Sequence, residues 1–167
     1  MNFRPRQPAD DAAIAVVNDL AFGGPAESRL VTALRDSGAA AIELVATEHG
    51  EIVGHILFSV LGVTVDERPV STLALAPVAV RPDRQRAGIG SALVRAGLER
   101  ARAAGWEAVI VLGHPAYYPR FGFSAALARP LVSPFSGNAF MALALRDGAL
   151  DGRTGRVVHP PAFGAAS

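Results

Sequence analysis

The stretch from Ser71 to Leu112 constrains this chain more than any other. Ser71 to Val80 is almost entirely leucine, valine and alanine, the composition of a strand buried on both faces of a sheet. A glycine-containing loop follows, Arg84-Gln85-Arg86-Ala87-Gly88-Ile89-Gly90-Ser91, and then Leu93, Val94, Gly97, Leu98 and Ala101 recur at helical spacing until Gly105 closes the segment. Trp106 to Leu112 reads as a second buried strand. Strand, helix and strand in this order make a βαβ crossover whose two strands run parallel, so the fold is built on a mixed α/β sheet. Pro77 lies inside the first strand, where it removes a ladder hydrogen bond, and predicts a bulge or a local parting of the sheet.

The flanking sequence supplies the other layers. Pro8 to Phe22 carries Ile14, Val17 and Ala21, with Val16 and Leu20, at helical spacing and ends at Gly23-Gly24, and Glu27 to Asp36 places Leu30, Val31 and Leu34 on one helical face. The period then changes: Ile42 to Glu48 and Ile52 to Val60 flank the loop His49-Gly50-Glu51 as a β-hairpin, and a separate strand is expected from Gly62 to Asp66. A helical turn is expected around Ala116 to Phe121, and Ala139 to Leu145 reads as a buried terminal strand. Beyond Leu150 the chain is rich in Gly, Pro and Arg. These readings predict a mixed, mostly antiparallel central sheet with one parallel crossover and flanking helices. One domain is expected over 1–167, with its core at about 3–145 and a tail at about 147–167.

Composition removes several function classes. With 50% hydrophobic residues and a net charge of +1, the chain can build a core, and its basic residues, all arginine, are interspersed with acids rather than run together as a nucleic-acid footprint. Without cysteine or lysine there is no thiolate nucleophile, thiolate metal site or Schiff base. No apolar run approaches the roughly 20 residues that span a bilayer, and the first residues lack the apolar region of a signal peptide, so a cytoplasmic protein without membrane or nucleic-acid partners is expected.

Candidate chemistry begins at the glycine loop. Gly88 and Gly90 at the mouth of a helix allow close backbone approach to a ligand, and the unpaired N–H groups of a first helical turn favour phosphate, with Arg84 and Arg86 adding charge. The same glycines could merely permit a tight turn. There is no G-x-x-x-x-G-K-[ST] loop, and Gly88-Ile89-Gly90-Ser91-Ala92-Leu93 lacks the third glycine of a dinucleotide fingerprint.

The segment Val78 to Leu93 resembles the signature of the GCN5-related N-acetyltransferases, the GNAT family, whose [RQ]-x-x-G-x-[GA] is matched by Gln85-Arg86-Ala87-Gly88-Ile89-Gly90. Tyr118-Pro119-Arg120-Phe121-Gly122-Phe123 is similar to the family's Tyr-x-x-x-Gly-Phe, and Gly113 to Tyr118 resembles a bacterial branch of predicted N-acetyltransferases with unassigned substrate. The resemblance spans about Phe3 to Leu145. It implies that the main chain of Arg86, Ala87, Gly88, Ile89, Gly90 and Ser91 binds the pyrophosphate of coenzyme A, and that Val78, Ala79 and Val80 pair with the pantetheine arm and offer an N–H to the acetyl carbonyl. It implies Tyr118 as the general acid for the departing thiolate, with Tyr117 as the neighbour that could exchange roles. Where many members carry an asparagine upstream of that tyrosine, this chain has Gly113-His114-Pro115.

The expected activity is transfer of the acetyl group of acetyl-CoA directly to a primary amine, with acetyl-CoA as co-substrate, no metal and no covalent enzyme intermediate. The alternative is a sensor or inactive module that binds acyl-CoA without acceptor chemistry. Candidate bases are Glu27, Glu43, His55 and His114, of which Glu27 and His114 are expected on the substrate side. Glu27 could instead serve only the helix dipole, and His55 could be a structural histidine. A homodimer is a further expectation, with Val157, Val158 and Phe163 packing either on the chain's own core or across an interface.

Overall fold

The structure is a computed structural model that describes residues 1–134 and 137–165, so the last two tail residues lie outside the described residues. In chain order its strands are β1 (Asn2–Pro5), β2 (Ala40–Glu48), β3 (Glu51–Val65), β4 (Arg68–Pro69), β5 (Thr72–Val80), β6 (Ala108–Leu112), β7 (Leu131–Val132), β8 (Phe140–Ala144) and β9 (Gly155–Val158). Its helices are α1 (Asp11–Phe22), α2 (Ala26–Asp36), α3 (Ile89–Ala103), α4 (Ala125–Ala128) and α5 (Pro161–Ala165), with short 3-10 turns at Pro8–Asp10, Pro82–Arg84 and Tyr118–Phe121. The main sheet runs β1-β2-β3-β5-β6-β8, antiparallel throughout except for the β5/β6 pair joined by α3. This is the expected mixed sheet with its βαβ crossover.

Both faces of the sheet are covered, which is why β5 and β6 read as unbroken apolar runs. On one face Leu93, Val94 and Leu98 of α3 pack with Ile56, Phe58, Leu73, Leu75, Val109 and Val111. On the other face Leu30, Val31 and Leu34 of α2 pack on Leu57, and Ala74, Ile110 and Ala142 meet Leu131, Leu150 and Val157. Burial of each large aliphatic or aromatic side chain contributes about 1.5–3 kcal/mol relative to exposure, so these layers fix where α3 and α2 begin.

Four details differ from the sequence reading. The hairpin between β2 and β3 closes through the two residues His49 and Gly50, both at positive φ (53° and 78°), with Glu48 opposite Glu51. β3 does not stop near Val60: alternation continues through Leu61, Val63 and Val65, all buried, so one 15-residue strand replaces the two expected. On α1, Ile14 and Val17 are buried but Val16 and Leu20 are 55% and 53% exposed, so the helix rests on a narrower apolar stripe than its spacing suggested.

The largest difference is the tail. β8 is not the terminal strand, because β9 adds antiparallel to the far half of β3 and parallel to β7, and α5 packs on α2. Two devices hold it. Val157 is buried in the chain's own core, and the Asp66 carboxylate accepts hydrogen bonds from the Arg153 and Thr154 N–H groups, which hold its pKa below the usual range. Phe163 packs beside Leu30, while Val158 is 62% exposed.

Candidate active site

Pairing between β5 and β6 covers Thr72 to Leu75 against Ala108 to Val111 and stops there. β5 continues to Val80 while remaining paired with β3, opposite Ile56, His55 and Gly54. The register shifts between Ile56 and Phe58, so one extra β5 residue is accommodated beside Pro77. Both outcomes expected from the proline therefore occur, a bulge towards β3 and a parting from β6. The result is a V-shaped gap in which the β6-facing main chain of Ala76 to Val80 has no strand partner.

At the outer end of that edge the chain turns through Pro82–Arg84 into the glycine loop. Arg86 and Gly88 both adopt left-handed backbone conformations (φ 67° and 84°), and Gly88 is the N-cap of α3. For Arg86 this conformation is unfavourable by about 1–2 kcal/mol, and for Gly88 it is not. Alternating backbone handedness aims successive N–H groups into one concavity, a nest suited to an anion at the helix's positive end. The concavity is a cavity of about 360 Å³ lined by Val80, Arg84, Gln85, Gly88 to Ser91, Tyr117 and Arg120, with Arg86. Gln85 Nε2 donates to the Val80 carbonyl at 3.0 Å, so this side chain fastens the loop to the strand end. Arg84 is shared with Glu48 and Asp83.

The gap itself opens into a cavity of about 610 Å³ lined by Leu75 to Val78 of β5, Leu112 to His114, Tyr117 and Tyr118, and, from the opposite side, Phe22, Glu27, Leu30, Phe140, His159 and Phe163. Tyr118, in its lining, packs among the rings of Tyr117, Phe121 and Phe123, with centroids 5.0, 6.2 and 5.8 Å away. Among the described residues nothing hydrogen-bonds its hydroxyl. Burial, with a small push from Tyr117, raises its pKa to about 12. Gly113 makes this packing possible: a Cβ there would lie 2.3 Å from Tyr118 Cε2 and 2.8 Å from Cδ2. Tyr117 is committed elsewhere, its hydroxyl sharing a 2.8 Å hydrogen bond with Ser91 Oγ and its ring lying under the Arg120 guanidinium at 4.4 Å. Both tyrosines line the gap, but only the Tyr117 hydroxyl is held by a hydrogen bond among the described residues.

The four candidate bases separate into two places. Glu27, half-buried in the first turn of α2, and His114, exposed after β6, line the cavity with Tyr118. Glu43 and His55 do not. His55 is fully buried between β3 and α1, where its Nδ1 accepts from Asn18 Nδ2 at 3.1 Å and its Nε2–H donates to Glu43 at 2.7 Å. Burial holds the imidazole below its ordinary pKa, so the ring is neutral. For Glu43 burial acts upward, but hydrogen bonds from His55 and from Arg35 outweigh it and hold the carboxyl down at about 2. The chain of contacts runs on from Arg35 to Asp11 and from Asp11 to Arg6. Asn18, His55 and Glu43 thus tie α1, β3 and β2 together, a structural use of both candidates.

Sequence reasoning missed the far wall of the cavity. Phe140 falls in the strand expected over Ala139 to Leu145 and Phe163 was expected to pack on the core or across an interface, but no motif marks them or His159 as site residues, and in the tail the short apolar run Val157-Val158 is the one strand signal. His159 Nε2 lies 3.0 Å from Ser133 Oγ, its ring meets Phe163 edge-on at 5.9 Å, and burial lowers its pKa. Among the described residues no three His, Asp or Glu side chains converge as metal ligands, and no helix is long and apolar enough to cross a membrane.

The parted parallel pair, the left-handed loop at the start of α3 and the tyrosine beside the gap are the features that the family resemblance predicts. The sequence profile of the Acetyltransferase (GNAT) family matches residues 14–123, and the chain belongs to that family. It is 35% identical over 166 residues to the uncharacterized N-acetyltransferase YhbS of Escherichia coli K12, covering 98% of both chains. It is 40% identical over 117 residues to YjhQ of the same organism, covering 69% of this chain and 65% of that one. Among solved structures, E. coli YhbS in complex with CoA superposes with a TM-score of 0.88 at 34% identity, over 98% of this chain and 91% of that one. A GNAT acetyltransferase from Brucella melitensis in complex with acetyl-CoA superposes with a TM-score of 0.80 at 35% identity, over 97% of each.

Proposed function

We propose that this protein transfers the acetyl group of acetyl-CoA directly to a primary amine. The observation that carries the reading is that the cavity at the glycine loop and the cavity of the gap adjoin at Tyr117, which lines both, beside the unpaired edge of Ala76 to Val80 and Tyr118. The nest donates N–H groups to the pyrophosphate, with the guanidinium groups of Arg84, Arg86 and Arg120 around it. The unpaired edge of β5 takes the place of a strand partner for the amides of the pantetheine arm. An N–H of Val78 to Val80 polarises the thioester carbonyl and holds the oxyanion that develops on it, which is worth about 3 kcal/mol where such a donor is well placed. That two similar proteins were solved in complex with CoA and with acetyl-CoA supports acetyl-CoA as the co-substrate.

The acceptor arrives as an ammonium ion and first gives up a proton, to water or to a lining group such as Glu27 or His114. Its nitrogen lone pair attacks the thioester carbon, the C–S bond breaks as the tetrahedral adduct collapses, and Tyr118 donates its proton towards the leaving sulfur. An ordinary thiol has a pKa near 8.5, so full transfer from a phenol at about 12 to a free thiolate is uphill by roughly 5 kcal/mol. Tyr118 therefore keeps its proton and acts by hydrogen bonding to the sulfur while C–S breaks, and the proton shed by the new amide nitrogen ends on the thiolate to give free CoA. The sum is acetyl-CoA plus an ammonium ion giving the acetamide, free CoA and one proton, with no bond to the enzyme.

Calorimetric titration of acetyl-CoA, followed by thiol release against an amine panel, tests this reading. Binding with thiol release, and Tyr118→Phe that binds CoA normally but turns over roughly a hundredfold or more slowly, is expected. Binding without release from any amine would favour the sensor alternative, and no binding would remove the assignment.

A further inference from the structure

The walls of the cavity beyond Tyr118 carry information about the acceptor that no motif contains. Resting on the acetyltransferase reading above, we propose that the acceptor is a monoamine on a single apolar body, of the arylalkylamine or branched alkylamine class, and that Phe163 and Glu27 select it. Phe22 at the end of α1, Leu30 in α2, Phe140 in β8 and Phe163 in α5 line this cavity, and none of them lines the one at the glycine loop. Of the described residues lining it, Glu27 alone is acidic and none is arginine.

Charge count decides between amine classes. A polyamine or an aminoglycoside carries several ammonium groups, of which Glu27 can pair one, and each further ammonium would be desolvated against hydrocarbon without compensation. A peptide N-terminus would bring backbone amides that the Phe and Leu side chains of this wall cannot satisfy. A single ammonium beside Glu27, with an aromatic or branched carbon body against Phe140 and Phe163, matches the one carboxylate and the apolar side chains of this lining. His159 adds no competing charge near neutral pH, because burial favours its neutral form, and its contacts with Ser133 and Phe163 hold the wall in place. The tail is thus a specificity element: α5 packs on α2, so Phe163 and Glu27 sit on two helices that touch.

The test uses the full chain and begins with acetyl-CoA calorimetry, which reports on the acetyltransferase reading independently of the acceptor. Thiol release is then measured with phenethylamine and isopentylamine, against spermidine, kanamycin and a short peptide with a free N-terminus. The proposal expects kcat/KM for the apolar monoamines at least tenfold above that for the other three. Phe163→Ala should raise KM for phenethylamine about tenfold or more through lost apolar contact, with acetyl-CoA affinity unchanged as the control for folding. Glu27→Gln, a half-buried polar change that leaves the core intact, should raise KM for the monoamine while changing kcat less. Higher kcat/KM for spermidine, kanamycin or the peptide overturns the proposal, as does acetyl-CoA binding with no acetylation of either monoamine. Absence of acetyl-CoA binding overturns the underlying acetyltransferase reading instead.

Discussion

Gly113→Ala isolates the geometry on which the proposed chemistry rests. The substitution places a Cβ 2.3 Å from Tyr118 Cε2, 2.8 Å from Cδ2 and 3.3 Å from Cζ. Carbon atoms at rest sit about 3.5–4.0 Å apart, so the ring edge must retreat by about 1.2–1.7 Å. The aromatic ring is rigid, so the hydroxyl moves with its edge, and the neighbouring rings of Tyr117, Phe121 and Phe123 must shift to make room. A misplacement of about 1 Å at a reacting group can cost roughly a hundredfold in rate. The expected outcome is a fall in kcat of about ten- to a hundredfold with acetyl-CoA affinity within about twofold of wild type. In a Tyr118→Phe background the same substitution should cost little more, since the displaced group no longer carries a proton. Steady-state thiol release at saturating acetyl-CoA, paired with calorimetry, reads both quantities. Wild-type kcat in Gly113→Ala, or losses in the two variants that multiply independently, would refute the assignment of Tyr118.

Three further outcomes follow from the same geometry. With its pKa raised to about 12, Tyr118 stays protonated through the assay range, so the pH–rate profile should show no falling limb from its ionisation below about pH 11; a limb near pH 9 that disappears in Tyr118→Phe would contradict this. Asp10, held at about 2 chiefly by its hydrogen bond from Arg4, and Glu43, also at about 2, refuse protons that the unfolded chain accepts near pH 4. Stability should therefore be flat above about pH 5 and fall as pH drops towards 2, as read by the denaturation midpoint, and Glu43→Gln should lower Tm by roughly 6–12 °C with CoA binding retained. Gly88→Ala meets no atom within 4 Å but forces an alanine to φ 84°, so its cost is conformational, about 1–2 kcal/mol, and CoA affinity should fall about tenfold by calorimetry.

How much of this was legible in the sequence follows from which signals are local. The βαβ crossover, the nest at Gly88 and the place of Tyr118 are set by residues adjacent in the chain, and Pro77 alone predicted where β5 and β6 part. What the sequence concealed depends on long-range pairing. β9 is four residues with one buried valine, too short to register beside the Gly, Pro and Arg around it, and it exists because Asp66 and the far half of β3 wait for it. The cavity wall at His159 and Phe163 was hidden for the same reason. His55 and Glu43 were eligible as bases by residue type, and only the packing of α1 on β3, which places Asn18 against one imidazole nitrogen, and the pairing of β2 with β3, which brings Glu43 to the other, show that they are spent on structure.

The most direct test of the central claim needs no acceptor. Amide hydrogen exchange of the full chain, measured with and without acetyl-CoA, reads the main-chain donors themselves. The account predicts slowed exchange concentrated at Arg86 to Ser91 and at the open edge of Ala76 to Val80. Binding that leaves those two segments unprotected, or protects a different face of the sheet, would contradict it.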